Sequence, residues 1–156
     1  MLQTYQTILA AVDGSKESRI AFEKAVNVAK RNDGLLILAH VVDTRAFQTV
    51  SVYENVAIEQ SQEMAQKTLD ELKAEAEKNG VANVQTIVEY GNPKSMLGTT
   101  IPKNSKVDLI LLGATGLNAV ERLFVGSVSE YVIRHAPCDV LIVRTELDNQ
   151  TKIETD

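Results

Sequence analysis

Short runs of uninterrupted apolar residues recur along this 156-residue chain, and they restrict its fold more than any other feature. They are Ile8-Leu9-Ala10-Ala11-Val12, Leu35-Leu36-Ile37-Leu38-Ala39, Leu109-Ile110-Leu111-Leu112 and Val140-Leu141-Ile142-Val143. A strand with one wet face alternates apolar and polar residues, whereas an unbroken run reads as a strand covered on both faces. The stretches between them carry helical spacing. Ala21, Phe22, Ala25, Val26 and Ala29 recur three and four apart. Ser15 or Asp13 can cap that helix, and Gly34 is expected to end it in a left-handed conformation. Ile58, Ala65, Leu69, Leu72 and Ala76 fall on one stripe of a long helix over about 55–79. Residues 84–90 alternate, as an edge strand does. Asn92-Pro93 then reads as cap and first turn of another helix, with Met96, Leu97 and Ile101 inward and Pro102 ending or bending it. A last helix over 127–135 offers Val128, Val132 and Ile133 to the core before Ala136-Pro137 stops it. Strands and helices therefore alternate, with five strands in all. That order implies an α/β fold: one domain, a parallel sheet, helices on both faces. The domain is read as 1–145, and the polar stretch 146–156 as a frayed tail.

Sheets of this kind bind ligands beyond the carboxyl ends of their strands, where the winding direction reverses. Asp13-Gly14-Ser15 follows the first strand, and Gly113-Ala114-Thr115-Gly116 follows the fourth. If those strands are neighbours, both segments face one crevice. Nine residues after Gly116, Gly126-Ser127-Val128-Ser129 opens the last helix. A helix start has unpaired N–H groups and a partial positive charge, and hydroxyls there add donors. Strand, glycine turn and hydroxyl-rich helix start together make a phosphate cradle. Glycine after a strand and serine before a helix are also ordinary turn and cap chemistry, but the complete pattern exceeds what chain reversal requires. Neither the glycine-lysine-serine/threonine phosphate loop nor the six-residue dinucleotide fingerprint is present.

Composition narrows the partners. A net charge of -5 argues against broad nucleic-acid binding, which wants a basic surface, though one anionic ligand held by backbone dipoles is compatible with it. No window reaches membrane-spanning length. The apolar run near the N-terminus is short, ends at Asp13 and has no basic stretch before it, so a cytoplasmic location is expected. Cys138 is the single cysteine and reads as a small core residue in a reducing compartment. His40, inside the second strand, reads as a satisfied, partly buried side chain, since His135 has no metal-ligand spacing with it. Residues 43–54 are open between a flap over a site and part of an interface.

With these residues in view, the chain resembles the universal stress protein family over roughly residues 4–145. Asp13-Gly14-Ser15 with Ser18 and Ala21, Gly91-Asn92-Pro93, the strand 108–113 and the run 136–144 all resemble family segments. Gly113-x2-Gly116-x9-Gly126-Ser127 resembles the signature of the ATP-binding branch. The resemblance implies a Rossmann-like sheet of the adenine nucleotide alpha hydrolase type, strand order 3-2-1-4-5, with the crevice between strands one and four. It implies that Ala11, Val12 and Asp13 line the crevice, with Asp13 near ribose, phosphate or a divalent ion such as Mg²⁺. It implies that Val41 meets the adenine through its backbone, that Gly113 and Gly116 let the chain approach ribose and phosphates, and that Gly126, Ser127, Val128 and Ser129 hold the phosphates. Pairing of final strands, here Val140, Leu141, Ile142 and Val143, would make a homodimer. Many members carry a basic residue inside the first glycine pair, where this chain has Ala114-Thr115; Arg122 and Arg134 are the basic residues nearby. Phosphate binding is thus expected to rest on the backbone and a metal ion.

The reading that follows is a cytoplasmic regulatory protein binding ATP (or AMP or ADP), not an enzyme. No nucleophile with a nearby base and no lysine in the glycine loop is available for turnover. A slow ATPase or nucleotidyl-transfer enzyme on the same crevice, with Asp13 holding Mg²⁺, is one alternative. A nucleotide-independent dimer scaffold is the other.

Overall fold

The computed structural model describes residues 4–47, 54–114 and 125–144. Its elements run β1 (Thr7–Ala11), α1 (Lys16–Asn32), β2 (Leu35–Asp43), a 3₁₀ turn (Thr44–Phe47) and α2 (Glu54–Lys78). They continue with β3 (Asn83–Gly91), α3 (Pro93–Ser95), a π turn (Met96–Thr100), α4 (Ile101–Asn104), β4 (Leu109–Gly113), α5 (Ser127–His135) and β5 (Asp139–Val143). The strands form one parallel sheet in the order β3-β2-β1-β4-β5, as the family resemblance implies. β1 lies at its centre, with Ile8 opposite Leu36 on one side and Leu109 on the other. Ile8, Leu9 and Ala10 are wholly buried, which is why this strand shows no polar alternation. Phe22, Ala25 and Leu69 cover one face against Ile8, Leu36 and Leu38; Leu97, Ile101 and Val132 cover the other against Leu9, Ile37 and Ile110. No helix among the described residues is long and apolar enough to cross a membrane.

Polar contacts fix which strands are neighbours. Both carboxylate oxygens of Asp108 accept main-chain N–H groups at the start of β1, from Gln6 at 2.7 Å and Thr7 at 3.1 Å, while the Asp108 N–H donates to the Thr7 carbonyl. This three-bond clasp sets β4 beside β1 and so creates the switch in winding above them. Arg19 joins α1 to α2 by a two-pronged ion pair with Glu75 and lies over the Phe22 ring. β3 is an edge strand, and β5 is the opposite edge, with Val140, Leu141 and Ile142 half-buried.

Local structure departs from expectation in three places. The left-handed residue ending α1 is Asp33 (φ 51°), not Gly34. Gly34 is needed for space: a Cβ there would lie 2.9 Å from the Tyr5 carbonyl oxygen and 3.0 Å from the Ile8 side chain. Of the two outcomes expected at Pro102, ending or bending the helix, the first does not occur, since the helix continues to Asn104; the preceding turn is widened, Ile101 N–H donating to the Met96 carbonyl five residues back. Proline has no N–H for the carbonyl four residues earlier and crowds it, and widening relieves both. Ile133 is about half exposed, while Val132 is wholly buried. Of the ambiguous stretch 43–54, Asp43 closes β2, the 3₁₀ turn follows, and Glu54 begins α2; residues 48–53 lie outside the described residues, as do 145–156.

Candidate functional site

A crevice of about 480 Å³ opens over the carboxyl ends of β1 and β4, within the size range of small-ligand sites. Ala11, Val12 and Asp13 form one wall; Ala39, His40 and Val41 extend it along β2. Leu112 and Gly113 come from β4, and Gly126, Ser127, Val128 and Ser129 form the facing rim. Every site residue expected from the sequence therefore lines this one space except Gly116, which lies outside the described residues together with Thr115 and Arg122. Ser15, Glu17, Ser18, Pro93 and Leu97 complete the lining. Ser15 belongs to the segment expected at the crevice, while nothing in the sequence assigns Glu17, Ser18, Pro93 and Leu97 to the site. Leu97 reads there only as an inward helix position, and the topology that swings α3 over the crevice has no local sequence signal.

Two long helices begin at this crevice, and they differ in a way that decides where an anion can go. At α1 the Ser15 hydroxyl accepts the Ser18 N–H at 3.1 Å, and Asp13 Oδ1 accepts the Ser15 N–H at 2.9 Å. Its first donors are thus already matched by the protein's own oxygens, and carboxylates Asp13 and Glu17 stand beside them. At α5 Gly126 occupies φ 90°, ψ 152°, and no side chain among the described residues caps the helix. The Gly126 carbonyl accepts from Glu130 at 3.0 Å. The amides of Ser127, Val128 and Ser129 precede the first residue with an intrahelical acceptor, and among the described residues no backbone acceptor outside the helix takes them. Only glycine holds such a positive φ without strain.

The β2 wall offers a second set of backbone groups. β1 and β2 pair only as far as Ala11 opposite Ala39, closed by Val12 N–H to the Ala39 carbonyl at 2.8 Å. Val41, two residues on, turns its N–H and C=O to the same side as Ala39 and has no partner in β1. His40 Nδ1 lies 2.6 Å from the Val12 carbonyl, so this ring is satisfied, as expected.

Electrostatics at the mouth centre on Asp13, which is exposed. Partial enclosure pushes its carboxyl up, but hydrogen bonds from Ser15 and Ser18 and the nearby His40 outweigh that and hold it below the usual carboxylate range. Among the described residues no Lys or Arg lines the crevice. Arg134 is turned to the surface in an ion pair with Glu130 at 2.8 Å. Nor do the described residues include three or more His, Cys, Asp or Glu grouped as a metal site. Cys138 is half-buried, and burial with Asp108 and Asp139 nearby pushes its thiol up to about 11, so it stays protonated and unreactive.

Gly113 also has a packing task. A Cβ on Gly113 would lie 2.4 Å from the main-chain carbon and oxygen of Glu17. Its missing side chain makes room for the first turn of α1; Gly113 faces the crevice through its main chain.

The family model described as universal stress protein family matches residues 4–144. A Staphylococcus haemolyticus protein named as a universal stress protein is 48% identical over 143 residues, 92% of this chain and 87% of its own length. A Staphylococcus aureus (strain USA300) protein of the same name is 49% identical over 92% of this chain and 86% of its own length. Among solved structures, universal stress protein UspA from Lactobacillus plantarum superposes with a TM-score of 0.82 at 32% identity, covering 92% of this chain and all of the other. A universal stress protein solved in complex with cAMP superposes at 0.67 and 28% identity, covering 92% and 99%. By fold, by site geometry and by these likenesses, the chain belongs to the universal stress protein family.

Proposed function

We propose that the crevice binds an adenine nucleotide, ATP above all with ADP and AMP as weaker relatives, and that the protein is a cytoplasmic, nucleotide-responsive regulatory dimer. The observation that carries this reading is the uncapped start of α5, whose Gly126–Ser129 rim faces a crevice with no cationic side chain among its described lining residues. Main-chain amides and a helix dipole are suited to a phosphate chain. At the other end, the Val41 N–H and C=O offer a donor and an acceptor side by side, matching the ring nitrogen and amino group of adenine and mismatching guanine. The relative solved with cAMP supports an adenine nucleotide in this fold. Asp13 and the phosphates would share a divalent ion such as Mg²⁺, the protein supplying one hard oxygen and the ligand and water the rest. The exposed edge of β5, with Val140, Leu141 and Ile142 half-buried, is the surface for the second copy.

Equilibrium titration with ATP and GTP, with and without Mg²⁺, tests the reading. ATP is expected to bind, GTP to bind far more weakly, and Gly126→Val to abolish ATP binding by straining the α5 start. No binding at millimolar ATP with Mg²⁺ would reject it. The ionised Asp13 favours one alternative, slow ATP hydrolysis with Asp13 holding the metal. Phosphate release lost in Asp13→Ala would support turnover, and release no faster than buffer over hours would leave binding alone.

A further inference from the structure

We propose that His40 is a positioning residue that keeps the Val41 N–H free for ligand by occupying the Val12 carbonyl in its place. This deepens the nucleotide reading above and rests on it. In a regular parallel ladder the bonds alternate from strand to strand. Val12 N–H donates to the Ala39 carbonyl at 2.8 Å, and the next bond in that series would run from the Val41 N–H to the Val12 carbonyl. It is not made: the β1–β2 register stops at Ala11 opposite Ala39. The Val12 carbonyl instead meets His40 Nδ1 at 2.6 Å. A carbonyl oxygen only accepts, so Nδ1 carries the proton and the ring is the donor. A side chain of β2 has replaced a main-chain donor of the same strand, one residue away.

The replacement has two effects. It anchors the turn from Val12 to Asp13 where the ladder no longer does. It also removes the acceptor that would otherwise draw Val41 into the sheet and close the gap at the crevice wall. His40 is placed for both: Val12, Asp13 and His40 line the crevice and also a second cavity of about 290 Å³ against Ser61, Met64 and Ala65 of α2. His40 thus stands between the two cavities, with its ring bonded to the start of the turn. Without the imidazole donor, the ladder extends by one bond, and the site loses the group that would read the base.

The test uses the full chain with His40→Leu, which keeps bulk without a donor, and His40→Asn, whose amide can donate in place of Nδ1. Two measurements are made: ATP affinity with Mg²⁺, and hydrogen exchange at the Val41 amide without nucleotide. His40→Leu is expected to weaken ATP binding about fivefold to tenfold, the worth of one hydrogen bond, and to slow Val41 exchange. His40→Asn is expected to stay within about twofold of wild type in both. The inference is overturned if His40→Leu binds ATP like wild type, or if His40→Asn fails equally. If wild type itself does not bind ATP, the nucleotide reading falls; Val41 exchange unchanged by His40→Leu then sinks the ladder competition too, and slowed exchange upholds it.

Discussion

At the scale of single residues, the two glycines flanking the crevice separate structure from ligand chemistry. Gly113 is walled in by the main chain of Glu17, which would stand 2.4 Å from an added Cβ, and backbone cannot step aside. Gly113→Ala is therefore expected to cost about 2 kcal/mol or more of stability in nucleotide-free protein, read by urea unfolding. An unchanged midpoint would show that the packing task is not what requires glycine there. Asp33 makes the opposite prediction. It holds φ 51° with a Cβ, and Asp33→Gly should raise stability by up to about 1 kcal/mol. For Asp13 the sign follows from its lowered carboxyl: the stabilisation is present above the ordinary carboxylate range and is lost as pH falls through it towards the folded-state value. Asp13→Asn should be less stable than wild type near neutrality, and the gap in thermal midpoint should narrow on acidification. A gap that widens in acid would contradict the hydrogen-bonded, ionised carboxylate. None of these distinctions could be read from sequence, because a glycine needed for packing and one needed for a ligand look alike there.

Elements were more legible than residues, for a physical reason. A strand buried on both faces must be apolar throughout, so β1, β2 and β4 announce themselves by composition alone, and the half-buried edge strand β5 carries a similar apolar run. Caps are nearly as plain, because a short polar side chain beside proline has few other uses. Asn92 Oδ1 accepts the Lys94 N–H at 3.0 Å, with Pro93 as the first helical residue. Asn92→Ala should cost about 1 kcal/mol, seen as a lower urea midpoint with an unchanged slope; no shift would mean that tertiary packing alone holds this helix start. The π turn was not legible. It is one of two ways to absorb Pro102, and the choice is made by packing: Gly98 sits where a Cβ would be 3.0 Å from the Tyr131 ring of α5. That contact joins the helical run over Leu97 to the helix whose start forms the crevice rim. Which helices share a crevice is decided by strand order, and no single segment encodes it.

At the scale of the whole molecule, the sheet has β3 and β5 as its edges among the described residues, and the proposed dimer uses the β5 edge. The Val143 carbonyl accepts the Ala114 N–H at 3.0 Å, so Val143 turns its main-chain groups towards β4. Strand alternation then turns Leu141 the same way and leaves Val140 and Ile142 with N–H and C=O directed outward. Proline at an outward position removes only a solvent-facing donor, which edge strands tolerate, whereas at an inward position it breaks the ladder. Ile142→Pro should therefore fold with near-normal circular dichroism and sediment as a monomer, while Leu141→Pro should lose stability whatever its association state. The pair separates edge-to-edge pairing from general damage to β5. A wild-type protein that sediments as a monomer would reject the dimer, and an Ile142→Pro protein that remains a dimer would remove β5 from the interface and turn attention to other faces. Because the crevice lies over β1 and β4 and β4 pairs directly with β5, nucleotide could then be tested for its effect on the dimer constant. A regulatory role predicts tighter association with ATP than without it, by the same factor that dimerisation tightens ATP binding.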